Sequence, residues 1–360
     1  MTMRFDTGSP PHGVSSRSVR GVMLLVVVAL FPAIIAHSWH FGAGIILNLA
    51  IAVLTAAIAE ALALAVARKC VNRHLGDGSA LVTAALIALC LPPLTPAWVT
   101  ISGTLFAILI AKHAFGGLGY NPFNPAMAGY AMLLIAFPAQ LSGYPAAAGS
   151  EPGAADTHAV LTVAMSPDLQ RSLSRLSNER PSGQAHDAIT RATPLDAMQS
   201  ALGQRRMVSE VLTDIETSRT FSRWHGRGWD WISAALLLGG VFLLGTRVVP
   251  WQAPAGMLIG ITLPALLFHV GDADHYPGAA FHLGAPSTML AAFFIVTDPV
   301  SGATSPRGRL VFGLLTGLLA WTIRTVGAYP DGVAFAVLLA NLTVPLLDRL
   351  TRPRVYGHGT

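Results

Sequence analysis

Ten apolar runs, five on each side of a polar stretch of roughly ninety residues from Ala139 to Gly228, dominate this chain. Such runs suit a bilayer core about 30 Å thick, where a helix satisfies its own backbone hydrogen bonds. They read as Gly21 to Ala36, Phe41 to Val66, Ser79 to Leu91, Ala97 to Ala111 and Pro125 to Pro138 before the polar stretch. After it come Trp229 to Gly245, Ala253 to Val270, Ala279 to Thr297, Leu310 to Val326 and Val333 to Leu347. Composition agrees, since 52% of residues are hydrophobic and only 11% are charged, against about a quarter charged in a soluble domain. The expected fold is an all-α polytopic membrane protein with ten transmembrane helices. Its parts are an N-terminal segment 1–20, a first half 21–138, a loop 139–228, a second half 229–348 and a tail 349–360.

Charge places the loops. Arg4, Arg17 and Arg20 precede the first run, so the positive-inside bias puts this end in the cytoplasm. Ten spans then put the long loop outside and both termini inside. Arg68, Lys69, Arg73, Lys112, Arg247, Arg307, Arg309, Arg349, Arg352 and Arg354 all fall on the cytoplasmic side of this scheme, while the short outside loops carry no Lys or Arg. Arg324, near the outer end of its span, is the one dissenter. The net charge of +5 is thus topological, and no basic helix or aromatic-interleaved patch points to nucleic acid. Two cysteines, Cys70 and Cys90, cannot hold an iron–sulfur cluster that needs about four ligands, so any redox centre here is an organic cofactor. The first run ends at Ala36-His37-Ser38, faintly like a signal-peptidase site, but it is long enough to span and reads as a retained helix.

The halves resemble each other. Leu75-Gly76-Asp77-Gly78-Ser79 aligns with Leu283-Gly284-Ala285-Pro286-Ser287, and Ala131 to Leu134 with Ala336 to Leu339. Five intervening spans would give the copies opposite orientation, a 5+5 inverted repeat whose third and eighth helices are broken by Gly and Pro. Chance likeness of apolar stretches is the alternative.

Few strings carry chemistry. Asp187 to Thr193 places an acid six residues before a threonine, with Thr190 and Ala192 between, in a stretch of turn formers. A threonine that bears a phosphoester needs an exposed hydroxyl with small neighbours, which this string offers. A helix N-cap at Thr193 with Pro194 at the first helical position accounts for the same residues. Ser301 to Thr304 is a second such string, on the cytoplasmic side, with Asp298 at the same spacing and Arg307 and Arg309 able to contact an anion. Asn121 and Asn124, in two Asn-Pro turns, read as structural or as contacts to a polar ring edge. Glu60, an acid inside the second run, is either part of an ion pathway or a satisfied structural acid. Asp272, Asp274 and His275, with His269 nearby, read as a solvated loop and not as a metal site.

A family resemblance rests on Arg17-Ser18-Val19 leading into Val22-Met23, Tyr120 to Ala126, Thr297 to Val300, Arg307 to Arg309 and the tail Gly327 to Gly357. Together these resemble the D subunits of bacterial Rnf (Rsx) electron-transport complexes and, more distantly, the B subunits of sodium-translocating NADH:quinone reductases. The likeness implies an inner-membrane flavoprotein with FMN joined through its phosphate to a threonine by a flavin transferase acting outside the membrane. The family pattern of Asp, two residues, Ser/Thr, Gly, Ala, Thr matches Asp187, Thr190, Ala192 and Thr193, with Arg191 in place of Gly. Topology favours Thr193 over Thr304. Also implied are a second, noncovalent flavin (riboflavin or FMN) near Asn121, Asn124, Arg307 and Arg309, partner subunits A, B, C, E and G, and Na+ or H+ translocation by the complex and not by this chain alone. The alternatives are a small-solute channel or transporter, and a structural subunit without flavin.

Overall fold

The computed structural model describes residues 18–145, 162–163, 166, 192–217, 228–329 and 331–352. These residues are helix and connection throughout. The helices are α1 (Val19–Phe41), α2 (Gly44–Val66), α3 (Val71–Leu75), α4 (Ser79–Cys90), α5 (Ala97–Leu105) and α6 (Pro125–Ala136), then α7 (Pro194–Gly203) and α8 (Val208–Thr217). The second half contributes α9 (Trp229–Gly245), α10 (Gln252–Gly271), α11 (Ala279–Gly284), α12 (Pro286–Leu290), α13 (Pro306–Val326) and α14 (Val333–Leu350). Two of them continue as π-helix, α5 through Phe106–His113 and α12 through Ala291–Ile295.

Five of these helices, α1, α2, α10, α13 and α14, are long and apolar enough to cross a membrane alone. The other five apolar segments, Ser79–Cys90, Ala97–His113, Pro125–Ala136, Trp229–Gly245 and Pro286–Ile295, are shorter. The ten expected runs are therefore all helical, but of unequal length. The eighth is divided at the Gly and Pro interruption that its sequence carries. Ala285 is extended (φ −65°, ψ 129°) and Pro286 cannot donate a backbone hydrogen bond, so Ala279 to Thr297 divides into α11 and α12. The third run is likewise preceded by the short α3, with Gly78 in the left-handed region at φ +82°. Both breaks fall where the two halves align.

Helix starts repeat one solution. Asn124, Thr193 and Ser305 each accept a hydrogen bond from the first turn, and each is followed by a proline whose missing N–H costs nothing there. The tightest pair, α10 and α13, meets through glycines spaced four apart on both helices. A Cβ on Gly256 or Gly260 would fall on the carbonyl oxygens of Leu310 or Leu314, and one on Gly313 or Gly317 on those of Ala253 or Met257. Small residues let helix backbones touch where lipid offers no hydrophobic drive to association. Outward-facing side chains are apolar, among them Leu54, Val66, Leu267 and Val270, as a lipid-facing surface requires.

Candidate functional site

The bundle has two ends, identified by contacts. At the loop end, α7 is tied to the end of α13 by Gln199 Nε2 donating to Gly327 O (2.9 Å), and α8 is tied to the end of α10 by Val208 N donating to Asp274 O (2.8 Å). Met198, Ala201, Val208 and Val211 pack with Phe281 beneath them. The opposite, terminal end carries the start of α13 and the end of α14, where Thr304 N and Oγ1 donate to Asp348 Oδ1 (2.8 and 3.0 Å). The 21 residues of α13 separate these ends by about 30 Å at 1.5 Å per residue. Thr193 and Thr304 thus sit at opposite ends of one helix.

Thr193 is half-buried at the edge of a loop-end cavity of about 160 Å³, walled by Tyr130, Tyr144, Trp229 and Tyr329. Tyr144 and Trp229 lie 5.0 Å apart between ring centres, and Phe41 backs the Trp229 ring at 4.7 Å. His37 also lines this cavity, and its Nδ1 has no hydrogen-bond partner among the described residues. Asp196 N donates to Thr193 Oγ1 and Thr193 N donates to Asp196 Oδ2 (3.2 Å each), a capping box, and the Thr193 hydroxyl also donates to that Oδ2 at 2.5 Å. Burial raises the Asp196 pKa above the ordinary 3.8, with the Thr193 hydrogen bonds pulling the other way. Asp196 escaped the sequence reading, which looked upstream to Asp187, although Thr-x-x-Asp is itself a cap signal. Ala192 is exposed beside Thr193; Asp187 and Thr190 lie outside the described residues.

The terminal-end cavity is larger, about 790 Å³. Asn121, Asn124 and Arg309 line it, with Arg247, Thr297 and Asp298 as further polar groups and Phe293, Phe294 and Trp251 among the apolar ones. Arg307 is exposed and does not line it. Asn124 is chiefly structural, capping α6 through Met127 N (3.2 Å) and donating its own N–H to Asn341 Oδ1 (3.2 Å). Asn341 Nδ2 donates in turn to Ser301 O (2.9 Å), so one side chain joins the two halves. Asp298 accepts from Ser301 Oγ (2.6 Å) and Val300 N (3.2 Å), which explains its spacing before Thr304 as a local knot.

Glu60 is buried in α2. Its Oε1 accepts from Lys112 Nζ at 2.6 Å, and the same ammonium donates to Ser79 Oγ at 2.8 Å. His113 Nε2 stands 3.5 Å from that oxygen. Lys112, counted from sequence as a topological charge, is 2% exposed and lines the terminal-end cavity. In and beside the loop after α10, His275 pairs with Asp272 (2.8 Å) and His269 Nδ1 contacts Tyr276 O (2.7 Å).

Comparison with known proteins adds a family. The model of the NQR2, RnfD, RnfE family matches residues 6–357. A protein of Aeromonas hydrophila, named as the D subunit of an ion-translocating oxidoreductase complex, is 44% identical over 356 residues, covering 98% of this chain and 99% of that one. Proteins of the same name from Salmonella newport and Escherichia fergusonii are each 43% identical, over 360 and 359 residues, covering 99% of both chains.

Proposed function

The chain belongs to the NQR2, RnfD, RnfE family, and from that membership we propose that it works as the D subunit of an ion-translocating oxidoreductase complex, carrying electrons through an FMN esterified to Thr193. It is a multi-pass membrane protein of an electron-transport complex. In this reading ten helices cross a bacterial inner membrane as a 5+5 inverted repeat, the loop end faces the periplasm and both termini face the cytoplasm. Subunits A, B, C, E and G, membrane lipid and a periplasmic flavin transferase are its partners, and Na+ or H+ is the translocated ion.

The observation that carries the flavin assignment is the position of Thr193 at the aromatic loop-end cavity, a helix length from Thr304. Asp196 holds the Thr193 hydroxyl by its hydrogen and can accept the proton lost when a phosphoester forms. The cavity is below the roughly 300 Å³ of common ligand sites, so Trp229 and Tyr144 offer a stacking wall at its mouth and not a full enclosure. His37 Nδ1 offers a polar contact. Bound there, FMN supplies a carrier for one or two electrons.

The larger terminal-end cavity lies within the common range for ligand sites and fits a second, noncovalent flavin, with Asn121 and Arg309 as polar contacts. One experiment tests both sites. The complex, expressed with its transferase, is precipitated in acid, and flavin is measured in pellet and supernatant. Thr193→Ala is expected to remove the pellet flavin, and Thr304→Ala to keep it; peptide mass spectrometry placing FMN on Thr304 would overturn the assignment. A supernatant without flavin would remove the second site.

A further inference from the structure

Arg324, the residue that breaks the charge rule, has a counterpart in the other half of the chain. In the first half Lys112, at the end of the π-helical continuation of α5, donates to Ser79 Oγ in the first turn of α4 (2.8 Å) and to Glu60 Oε1 (2.6 Å). In the second half Arg324, near the end of α13, donates to Ser287 Oγ in the first turn of α12 (3.0 Å), to Thr288 Oγ1 (2.9 Å) and to Asp331 Oδ1 (3.2 Å). Ser79 and Ser287 are the serines that the repeat alignment pairs. The cation follows its serine by 33 residues in one half and by 37 in the other.

The two clusters face opposite ways. Ser79 and Lys112 line the terminal-end cavity, whereas Ser287 and Asp331 line the loop-end cavity. Both cations are buried, at 2% and 6% exposure, and buried atoms beside them lack a hydrogen-bond partner among the described residues, Glu60 Oε2 and His113 Nε2 in one cluster and Arg324 Nε in the other. Replacing a buried ion pair by apolar groups is often neutral or stabilising, so folding alone gives little reason to keep one at each end. Between them the cavities nearly meet. The terminal-end cavity reaches Leu86 and Phe293, the loop-end cavity reaches Leu89 and Leu290, and one helical turn of apolar side chains divides them.

We infer that Lys112 and Arg324 are equivalent positioning residues that close the two ends of a path for a monovalent cation through this chain. Each pins the broken helix of its own half and neutralises a carboxylate, Glu60 behind Lys112 at the terminal-end cavity and Asp331 in the wall of the loop-end one. A cation arriving from the terminal end meets the Lys112 ammonium in the cavity wall and reaches Glu60 only where that ammonium gives way. At the loop end it passes where Arg324 parts from Asp331. The inference rests on the reading of the chain as part of an ion-translocating complex and not on either flavin site.

The test uses the whole complex in liposomes, with a sodium or a proton gradient imposed and its decay followed without electron donor. The double variant Lys112→Met, Arg324→Met is expected to speed the decay of one gradient several-fold, because only the apolar layer then holds it, and each single methionine variant to speed it less, because the other end stays closed. Lys112→Arg and Arg324→Lys should stay near the parent rate, which a general loosening of the fold would not allow. Ser79→Ala and Ser287→Ala should give smaller effects of the same sign, and they decide the matter if the methionine variants fail to assemble. Parental decay of both gradients in assembled methionine variants or, where those fail to assemble, in both serine variants would overturn the inference. So would a leak confined to one end, or an equal leak in the conservative variants. A parent complex that moves no ion during electron transfer would instead defeat the functional reading beneath it.

Discussion

Thr193 caps α7 and, in the proposed function, accepts a flavin phosphate, and both roles pass through Asp196. Asp196→Asn keeps a side chain able to accept from the Thr193 amide but loses the carboxylate that takes the hydroxyl proton. Flavin labelling in the transferase-coexpressing strain should slow by at least about tenfold, short of the 10² or more that general bases contribute, as followed by fluorescence of the denatured band. Because burial raises the Asp196 pKa, the fold favours its protonated form. This group's contribution to stability is therefore largest below its unfolded value of 3.8 and is lost as pH rises through the raised folded value. Labelling needs the ionised form and should fall as pH drops through that same value, which a pH series of the transfer reaction measures. Thr193→Ser keeps an oxygen and should retain some label. Thr304→Ala loses one hydrogen bond to Asp348, about 1 kcal/mol of stability, and keeps its label.

Among the elements, the α10–α13 contact depends most on residue size. Gly317→Leu places a branched side chain against the Met257 carbonyl and the α10 backbone, which cannot yield without separating the helices. Overpacking of this kind costs about 1–3 kcal/mol or more, and thermal unfolding in detergent should register it as a lower midpoint and reduced assembly. The same change at Gly245, where an added Cβ would meet no neighbour within 4 Å, should be nearly neutral. The glycine spacing was present in the sequence but says nothing alone about which helix it meets. The Xaa-Pro caps were more legible, because a cap and the proline after it act within one turn of the chain.

For the whole molecule, the contacts of α7 with Gly327 and of Thr304 with Asp348 separate the long loop from the chain's final helical turn along α13. A reporter fused near Gln184 should be active only as a periplasmic protein and one fused after Gly357 only as a cytoplasmic one. Activity of both on one side would remove the ten-span scheme and with it the topological preference for Thr193. Both fusion points lie outside the described residues.

The sequence by itself determined where apolar helices form and where polar chain interrupts them, since hydropathy, prolines and glycines act over one span or one turn. It also exposed the two breaks at Gly78 and Pro286. Only the tertiary structure decided that Asn341 bridges Asn124 and Ser301, that Lys112 closes on Glu60, and that Arg324 is no topological charge but a buried donor to Ser287, Thr288 and Asp331. Those partners lie seven to more than two hundred residues away, mostly on other helices. Which buried charge meets which is set by how the helices pack, because a charge in a low-dielectric interior must find a partner within hydrogen-bond reach, and no local pattern names that partner.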